Sequence, residues 1–239
     1  MGVVVLLFDP IVLARAAATP LPAPGHFEAI FHSAGLSAIA ALLALGLALP
    51  VAWRWRMASR KGQAAGWALA LGLLAIPGPL WGLAFSQFWH HPAWVAVGAE
   101  QIAAVFADGF LAVPLALAGR ISGLALVSVW AAFRAVPEDG VAAAATLGAE
   151  APAVFWRIGV RGAAGGLALA WAALYVAASG DVAATVLATP PRWDGLAVRY
   201  ATQIHFGMND AGLARLLVWS LPMAGLPAGI AAWFALRRR

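Results

Sequence analysis

The sequence predicts an all-α polytopic membrane protein, because both its composition and its apolar runs are typical of that class. Hydrophobic residues make up 63% of the 239 residues and charged residues only 10%, whereas about a quarter of the residues are charged in soluble domains. A membrane-spanning helix needs about 20 consecutive apolar residues. Five runs satisfy this requirement, and they cover approximately 31–53, 64–88, 110–134, 163–187 and 212–235.

The N-terminal segment is expected to lie outside these five spans. Residues 1–13 are apolar, but Asp9 and Pro10 interrupt them, and the run is too short to cross a hydrocarbon core. We interpret it as an incomplete sixth span or an interfacial stub. Residues 14–30 are rich in proline and predict a loop, so a stub and outer loop over 1–30 would precede a transmembrane domain over 31–239.

Helix-breaking or ionisable residues stand out in the second, third and fourth runs. Pro77, Gly78 and Pro79 lie in the second run, where proline must break the hydrogen-bond ladder beside a helix or cavity that satisfies the freed carbonyls. Arg120 lies in the third run and Asp181 near the end of the fourth. Charged groups at membrane depth usually face the bundle interior or a water-filled path. Arg120 is therefore expected to pair with Asp181, to bind freed carbonyls or to contact an anionic solute. Asp181 is expected to line a path, to cap a broken helix or to reach the outer headgroups.

Basic residues in the short loops predict the orientation, since they concentrate on the cytoplasmic side. If the 54–62 loop is cytoplasmic, most of the basic residues fall on that side. They are Arg54, Arg56, Arg60, Lys61, Arg134, Arg157, Arg161 and the C-terminal Arg237, Arg238 and Arg239. The C-terminus and the 137–161 segment would then be cytoplasmic. The net charge of +5 is accounted for in this way, and no nucleic-acid partner is expected.

The segment from Pro137 to Arg161 (PEDGVAAAATLGAEAPAVFWRIGVR) links the third and fourth runs. Pro137 suits the first position of a helix, and acidic residues suit its first turn. Gly148 is expected to end this helix in the left-handed conformation, which glycine adopts without a Cβ penalty. A second short helix is predicted near Pro152, with Val154, Phe155 and Ile158 on an apolar stripe and Arg157 and Arg161 on another face.

This segment resembles the cytoplasmic coupling loop of binding-protein-dependent ABC importer permeases. The family pattern is Glu-Ala-Ala, a three-residue gap, Gly, and an apolar stretch that ends Ile-x-x-Pro. The positions that fit are Ala143, Ala144, Leu147, Gly148, Phe155 and Ile158, with Arg157 inside the same stretch. Ala142 replaces the glutamate and Arg161 replaces the closing proline. The resemblance implies an ABC importer permease fold whose loop docks on a cytoplasmic ATPase dimer.

A second stretch, residues 180–207, resembles permeases of the ferric-iron and thiamine type. The positions that fit are Gly180, Asp181, Ala184, Thr185, Pro190, Pro191, Leu196, Arg199, His205 and Gly207. The resemblance implies a bacterial inner-membrane subunit that works with a periplasmic solute-binding protein and a second, identical or different, permease subunit. The expected solute is ferric iron or thiamine, ahead of sulfate, molybdate or a polyamine. The path or gate residues would be Asp181, Thr185, Arg120, Pro77 and Gly78.

No catalytic or metal-binding motif points to another function. The sequence contains no HExxH or P-loop pattern, so ATP hydrolysis would belong to a partner and no cofactor is expected. His90 and His91 are adjacent and therefore poorly placed to share one ion, so no metal site is predicted. Two alternatives are an ATP-independent intramembrane enzyme or channel that uses Arg120, Asp181 and the histidines, and a non-transporting scaffold with an altered coupling loop.

Overall fold

The computed structural model describes residues 24–190, 193 and 195–206, together with separate positions between 223 and 234. The regular elements of the first three ranges are helical, which confirms the all-α class for this part of the chain. They are α1 (Pro24–Arg56), α2 (Arg60–Ala75), α3 (Gly78–Trp89), α4 (Ala93–Ala96), α5 (Glu100–Ala107), α6 (Ala112–Arg120), α7 (Ser122–Arg134), α8 (Glu138–Thr146), α9 (Ala151–Val154), a π-helical turn (Phe155–Val160), α10 (Arg161–Gly180), α11 (Val182–Ala188) and α12 (Leu196–His205).

Two helical stretches among the described residues are long and apolar enough to cross a membrane. They are Glu28–Arg56 and Ala151–Gly180. The number rises to four if each bent helix pair counts as one span: Arg60–Ala75 with Gly78–Ala96, and Glu100–Ala107 with Ala112–Arg120. The predicted stub at 1–13 and most of the predicted run at 212–235 lie outside the described residues. The described residues therefore contain two to four candidate spans, compared with the five that the whole sequence predicts.

The first predicted boundary differs from the structure. Residues 24–30 were expected in a loop, but they are helical and belong to α1, which continues to Arg56. The prolines of the 14–30 segment all lie at or before Pro24, so residues 25–30 contain no proline that would oppose a helix.

The second and third runs are each divided. The break at Pro77 is confirmed, since α2 ends at Ala75 and the helical stretch that starts at Gly78 is bent by 89° relative to it. The third run was expected to be continuous, but it divides at Ile121 into α6 and α7. Next to this break the Ser122 hydroxyl donates a 2.6 Å hydrogen bond to the Gly119 carbonyl, and such a side-chain bond competes with regular helix geometry.

The fourth run begins earlier and ends earlier than predicted. The second helix of the loop was expected to be a separate short element, but α9, the π-helical turn and α10 form one 30-residue stretch from Ala151 to Gly180. Helical backbone angles continue through Phe155 and Arg161, so nothing separates the loop helix from the apolar run. The run then stops at Gly180 rather than at 187, because Asp181 begins α11.

The helices form two groups that together position the site. In the first, α1, α7 and α10 pack around the main core, which includes the fully buried Phe133 and Leu174. A Cβ on Gly166 would lie 2.9 Å from the Cβ of Ala132, so α10 and α7 approach through small residues, as is common between membrane helices. In the second group, the short helices α3, α6 and α11 pack against one another.

Candidate functional site

The second group of helices brings together the ionisable residues of the apolar runs. Gly78 begins α3, Arg120 ends α6 and Asp181 caps α11. The Nε atom of Arg120 lies 3.1 Å from Oδ2 of Asp181, and the two side chains are 24% and 15% exposed. The structure therefore shows the pairing that the sequence left open, between helices that are distant in the chain. We call Arg120 and Asp181 the charge pair.

Asp181 is held in place from two directions. Its Oδ1 atom accepts a 2.9 Å hydrogen bond from the backbone N–H of Ala184, which makes Asp181 the N-cap of α11. Its backbone carbonyl accepts a 2.6 Å hydrogen bond from the Thr185 hydroxyl. An acidic N-cap satisfies a free N–H and interacts favourably with the helix dipole. The capping role and the pairing role therefore coexist, and Thr185 contributes through the backbone.

Arg120 is the less constrained member of the charge pair. Its Nε atom is close to the carboxylate, yet the N–H is not aimed at it, and this buried N–H has no hydrogen-bond partner among the described residues. The contact is thus an ion pair without hydrogen-bond geometry. Arg120 also ends α6, where a cation is stabilised by the helix dipole. Nε of Arg120 therefore keeps an unused N–H donor, whereas Oδ1 of Asp181 already accepts from Ala184.

Pro77 and Gly78 bring backbone directly against the charge pair. Pro77 is extended (ψ 143°) and precedes the first turn of α3. Gly78 is buried, and a Cβ there would lie 3.1 Å from Oδ1 of Asp181 and 3.6 Å from Nε of Arg120. Only a very small residue fits without moving the carboxylate. All five predicted path residues, Asp181, Thr185, Arg120, Pro77 and Gly78, therefore lie in one neighbourhood.

The close approach of α3 and α11 leads to a stability prediction at Gly82. A Cβ on Gly82 would lie 2.9 Å from the Cβ of Leu187 and 3.1 Å from the backbone of Ala184, and the backbone of α11 cannot move aside cheaply. We expect Gly82→Ala to destabilise the fold by about 1–3 kcal/mol. Thermal unfolding in detergent, followed by size-exclusion fluorescence, measures this effect.

Gly72→Ala is the matched control, because a Cβ on Gly72 meets nothing within 4 Å. This variant should be neutral or gain up to about 1 kcal/mol from better helix propensity. Equal melting temperatures for the two variants would contradict the packing of α3 on α11.

The 137–161 loop is a helix–glycine–helix whose first helix is exposed and whose bend has the predicted chemistry. Pro137 is the N-cap residue, one position before the predicted one. At the other end Gly148 has φ +74°; its N–H donates to the Ala145 carbonyl, and the N–H of Ala149 donates to the Ala144 carbonyl at 3.0 Å. These bonds form a Schellman motif. No residue of α8 is buried.

The predicted coupling residues divide between the tip and the base of this loop. Ala143, Leu147 and Gly148 are exposed, with Leu147 87% exposed at the tip, and Ala144 is partly buried. At the base, Phe155 and Ile158 pack against the main core, and Arg157 is exposed. The apolar stripe therefore faces the protein, which leaves Leu147 at the tip and Trp156 at the base, 57% exposed, as the large apolar side chains available to a partner.

The histidines on the other loops do not assemble into a site. Among the described residues, no group of three or more His, Cys, Asp or Glu side chains could hold a metal ion. His90 makes an exposed 3.7 Å contact from Nε2 to Oδ1 of Asp108, and Nδ1 of His91 accepts from the N–H of Ala93. The two adjacent side chains thus have separate partners.

Sequence reasoning missed one functional candidate, Arg56. It was assigned to the basic cytoplasmic patch, but it is only 7% exposed, and its Nη2 donates a 2.6 Å hydrogen bond to the carbonyl of Val136. The available signal was its spacing: Arg56 lies three residues after Trp53, so both share one face of α1.

Comparison with known proteins adds no family assignment. No family model matches the chain, and no curated protein matches its sequence. The likeness to importer permeases therefore stays a prediction, carried by the residues quoted above and by the geometry in which they lie.

Proposed function

We propose that this chain is the membrane-spanning permease subunit of an ABC importer. The observation that carries the proposal is the 137–161 loop, an exposed helix bent at a left-handed glycine and followed by a helix long and apolar enough to span a membrane. A helix without buried residues has no structural use for an apolar tip residue, so Leu147 is well suited to fill a groove on a partner. The resemblance identifies that partner as a cytoplasmic ATPase dimer.

The continuity of Ala151–Gly180 supports a mechanical form of coupling. Because α9, the π-helical turn and α10 are one helical stretch, a displacement of the loop by the ATPases moves α10 directly. The N-terminal end of the loop is connected to α7, so the same displacement would also move α7. Since α7 and α10 pack on α1, loop movement would reorient the helices around a solute path. This chain would hydrolyse nothing itself.

The charge pair is the proposed element of the path. Interrupted helices that present irregular backbone to a solute route recur in transporters, and ionisable groups within membrane segments usually serve such a route. The breaks at Pro77, Ile121 and Asp181 adjoin the charge pair. Specificity would come mainly from a periplasmic solute-binding protein, with ferric iron or thiamine as the solute that the resemblance favours.

Further assignments follow from the same proposal. The chain would lie in a bacterial inner membrane with the 137–161 loop in the cytoplasm, which agrees with the basic residues at the end of α1 and α7. A second permease subunit, identical or different, would complete the path. The C-terminus, which would also be cytoplasmic, lies outside the described residues.

Substitution of the loop tip tests the proposal. The tagged chain, extracted from its native membrane, should co-purify with a nucleotide-binding subunit that hydrolyses ATP. Leu147→Asp should reduce recovery of that subunit about tenfold or more, because a charge would replace the apolar side chain that becomes buried in the proposed groove of the ATPase. Val97→Asp is the control, since Val97 is 71% exposed and lies between α4 and α5. Recovery that is equal for the two variants, or the absence of an ATPase from both the variants and the parent chain, would contradict the proposal.

A channel or enzyme that works without ATP is the second candidate, and the partly buried charge pair is the observation that favours it. Such a protein would act in proteoliposomes that contain this chain alone. A scaffold, in contrast, would bind partners but show no solute flux. Flux that requires the ATPase separates the permease from both.

A further inference from the structure

Arg56 is buried, whereas the other basic residues near it in the sequence are not. Arg54, Arg60 and Lys61 are exposed, as expected for residues near headgroups, whereas Arg56 is 7% exposed. Its Cζ lies 5.4 Å from the centroid of the Trp53 ring, a favourable distance for a cation–π contact. An arginine is rarely buried without a specific partner, and its partner here is one backbone carbonyl.

That carbonyl belongs to Val136, the residue immediately before the 137–161 loop. Val136 lies between the end of α7 and the start of α8, so its carbonyl is outside both helical hydrogen-bond ladders and needs another donor. Nη2 of Arg56 supplies it at 2.6 Å. The positive guanidinium also lies near the C-terminal end of α7, where the helix dipole favours it.

The other end of the loop rests on the same turn of α1. The Trp53 ring packs edge-to-face on Phe155, with the centroids 5.8 Å apart, and on Phe133 at 5.1 Å. A Cβ on Gly159 would lie 2.8 Å from the Trp53 ring, and one on Gly162 would lie 3.2 Å from the Val136 side chain. One turn of α1 therefore contacts both ends of the loop.

We propose that Arg56 is a positioning residue that joins the start of the 137–161 loop to α1. This inference rests on the proposed function and deepens it: α1, together with α7 and α10, receives the movement of the loop. Loss of the Arg56–Val136 bond would leave Pro137 and α8 able to move without α1. The ATPase would still bind Leu147, but the transfer of motion to α1 would fail.

Spin labelling of the isolated chain in nanodiscs tests the inference. The chain contains no cysteine, so Leu147→Cys places one label at the loop tip, and Val97→Cys places a comparison label between α4 and α5. Arg56→Met keeps an unbranched apolar stem and removes the bond, and Arg54→Met is the exposed control. Arg56→Met should shorten the rotational correlation time of the Leu147 label about twofold or more, and leave the Val97 label unchanged.

The remaining outcomes decide between positioning and general stabilisation. Arg56→Lys, which keeps a donor and the charge, should restore part of the order at the tip, and it also provides a measurement if Arg56→Met fails to insert. An unchanged Leu147 label in both Arg56 variants would overturn the inference, as would equal loosening at Val97. Since no ATPase is present, failure here is distinguishable from failure of the permease proposal, which co-purification decides.

Discussion

Replacement of Gly148 by valine is expected to uncouple ATP hydrolysis from solute uptake while the chain remains inserted. Gly148 has φ +74°, and a Cβ there would meet nothing within 4 Å. The free-energy cost of the substitution therefore comes from the backbone conformation alone. It is about 1–2 kcal/mol for an ordinary residue in the left-handed region, and more for a β-branched residue. A cost of that size lowers the population of the bent loop about tenfold.

The measurement is the ratio of solute taken up to ATP hydrolysed, in proteoliposomes with the ATPase and the binding protein. Gly148→Asn should retain most of the coupling, because asparagine tolerates the left-handed conformation. Gly140→Val controls for a β-branched residue in α8 itself, since its Cβ would meet only Ile158 at 4.0 Å. A Gly148→Val protein that transports as well as Gly148→Asn would show that the bend does not transmit the motion.

Neutralisation of either member of the charge pair should cost about 2 kcal/mol, because the partner remains as a partly buried, unpaired charge. Asp181→Asn is the informative change at that position, since asparagine still caps α11. Arg120→Gln is its counterpart. The double variant should lose less than the sum of the two single losses, by about 1–2 kcal/mol. Thermal unfolding of the four proteins in detergent completes the cycle.

Reversal of the two charges gives a second test of the same pair. Arg120→Asp and Asp181→Arg should each reduce the yield of monodisperse protein, and their combination should recover part of it. Full recovery is not expected, because an arginine at 181 cannot accept the hydrogen bond that Ala184 donates to Oδ1. A reversed double variant that inserts as poorly as either single variant, or strictly additive losses in the neutral cycle, would rule out an energetic role for the pairing.

The local features of this protein were predictable because they depend on one or two residues. The break at Pro77 follows from a missing N–H, and the bend at Gly148 follows from a missing Cβ. The structure confirms both. The positions at which helices begin and end within apolar sequence were less predictable. Nothing in the residues between Val154 and Ala163 distinguishes a loop helix from the start of a span, and so the continuity of α9 and α10 was missed.

The charge pair shows where sequence reasoning needs the fold. The residues alone identified Arg120 and Asp181 as ionisable groups in apolar runs, but they left open whether the two meet. Their contact depends on three interrupted helices packing together, with Gly78 and Gly82 permitting the approach. Because the packing of helix faces involves residues far apart in the chain, no local pattern encodes it.

Taken alone, the sequence determined the membrane-type composition, the helical class and the two helix breaks, since hydropathy and backbone restrictions are properties of individual residues. Only the tertiary structure decided that Arg56 is buried at the start of the loop, that α9 continues into α10, and that Arg120 meets Asp181. The burial of Arg56 and the charge pair depend on which surfaces of distant helices come into contact. Such contacts are a property of the packed bundle, in which a buried donor needs an acceptor from a residue that can be far away in the chain.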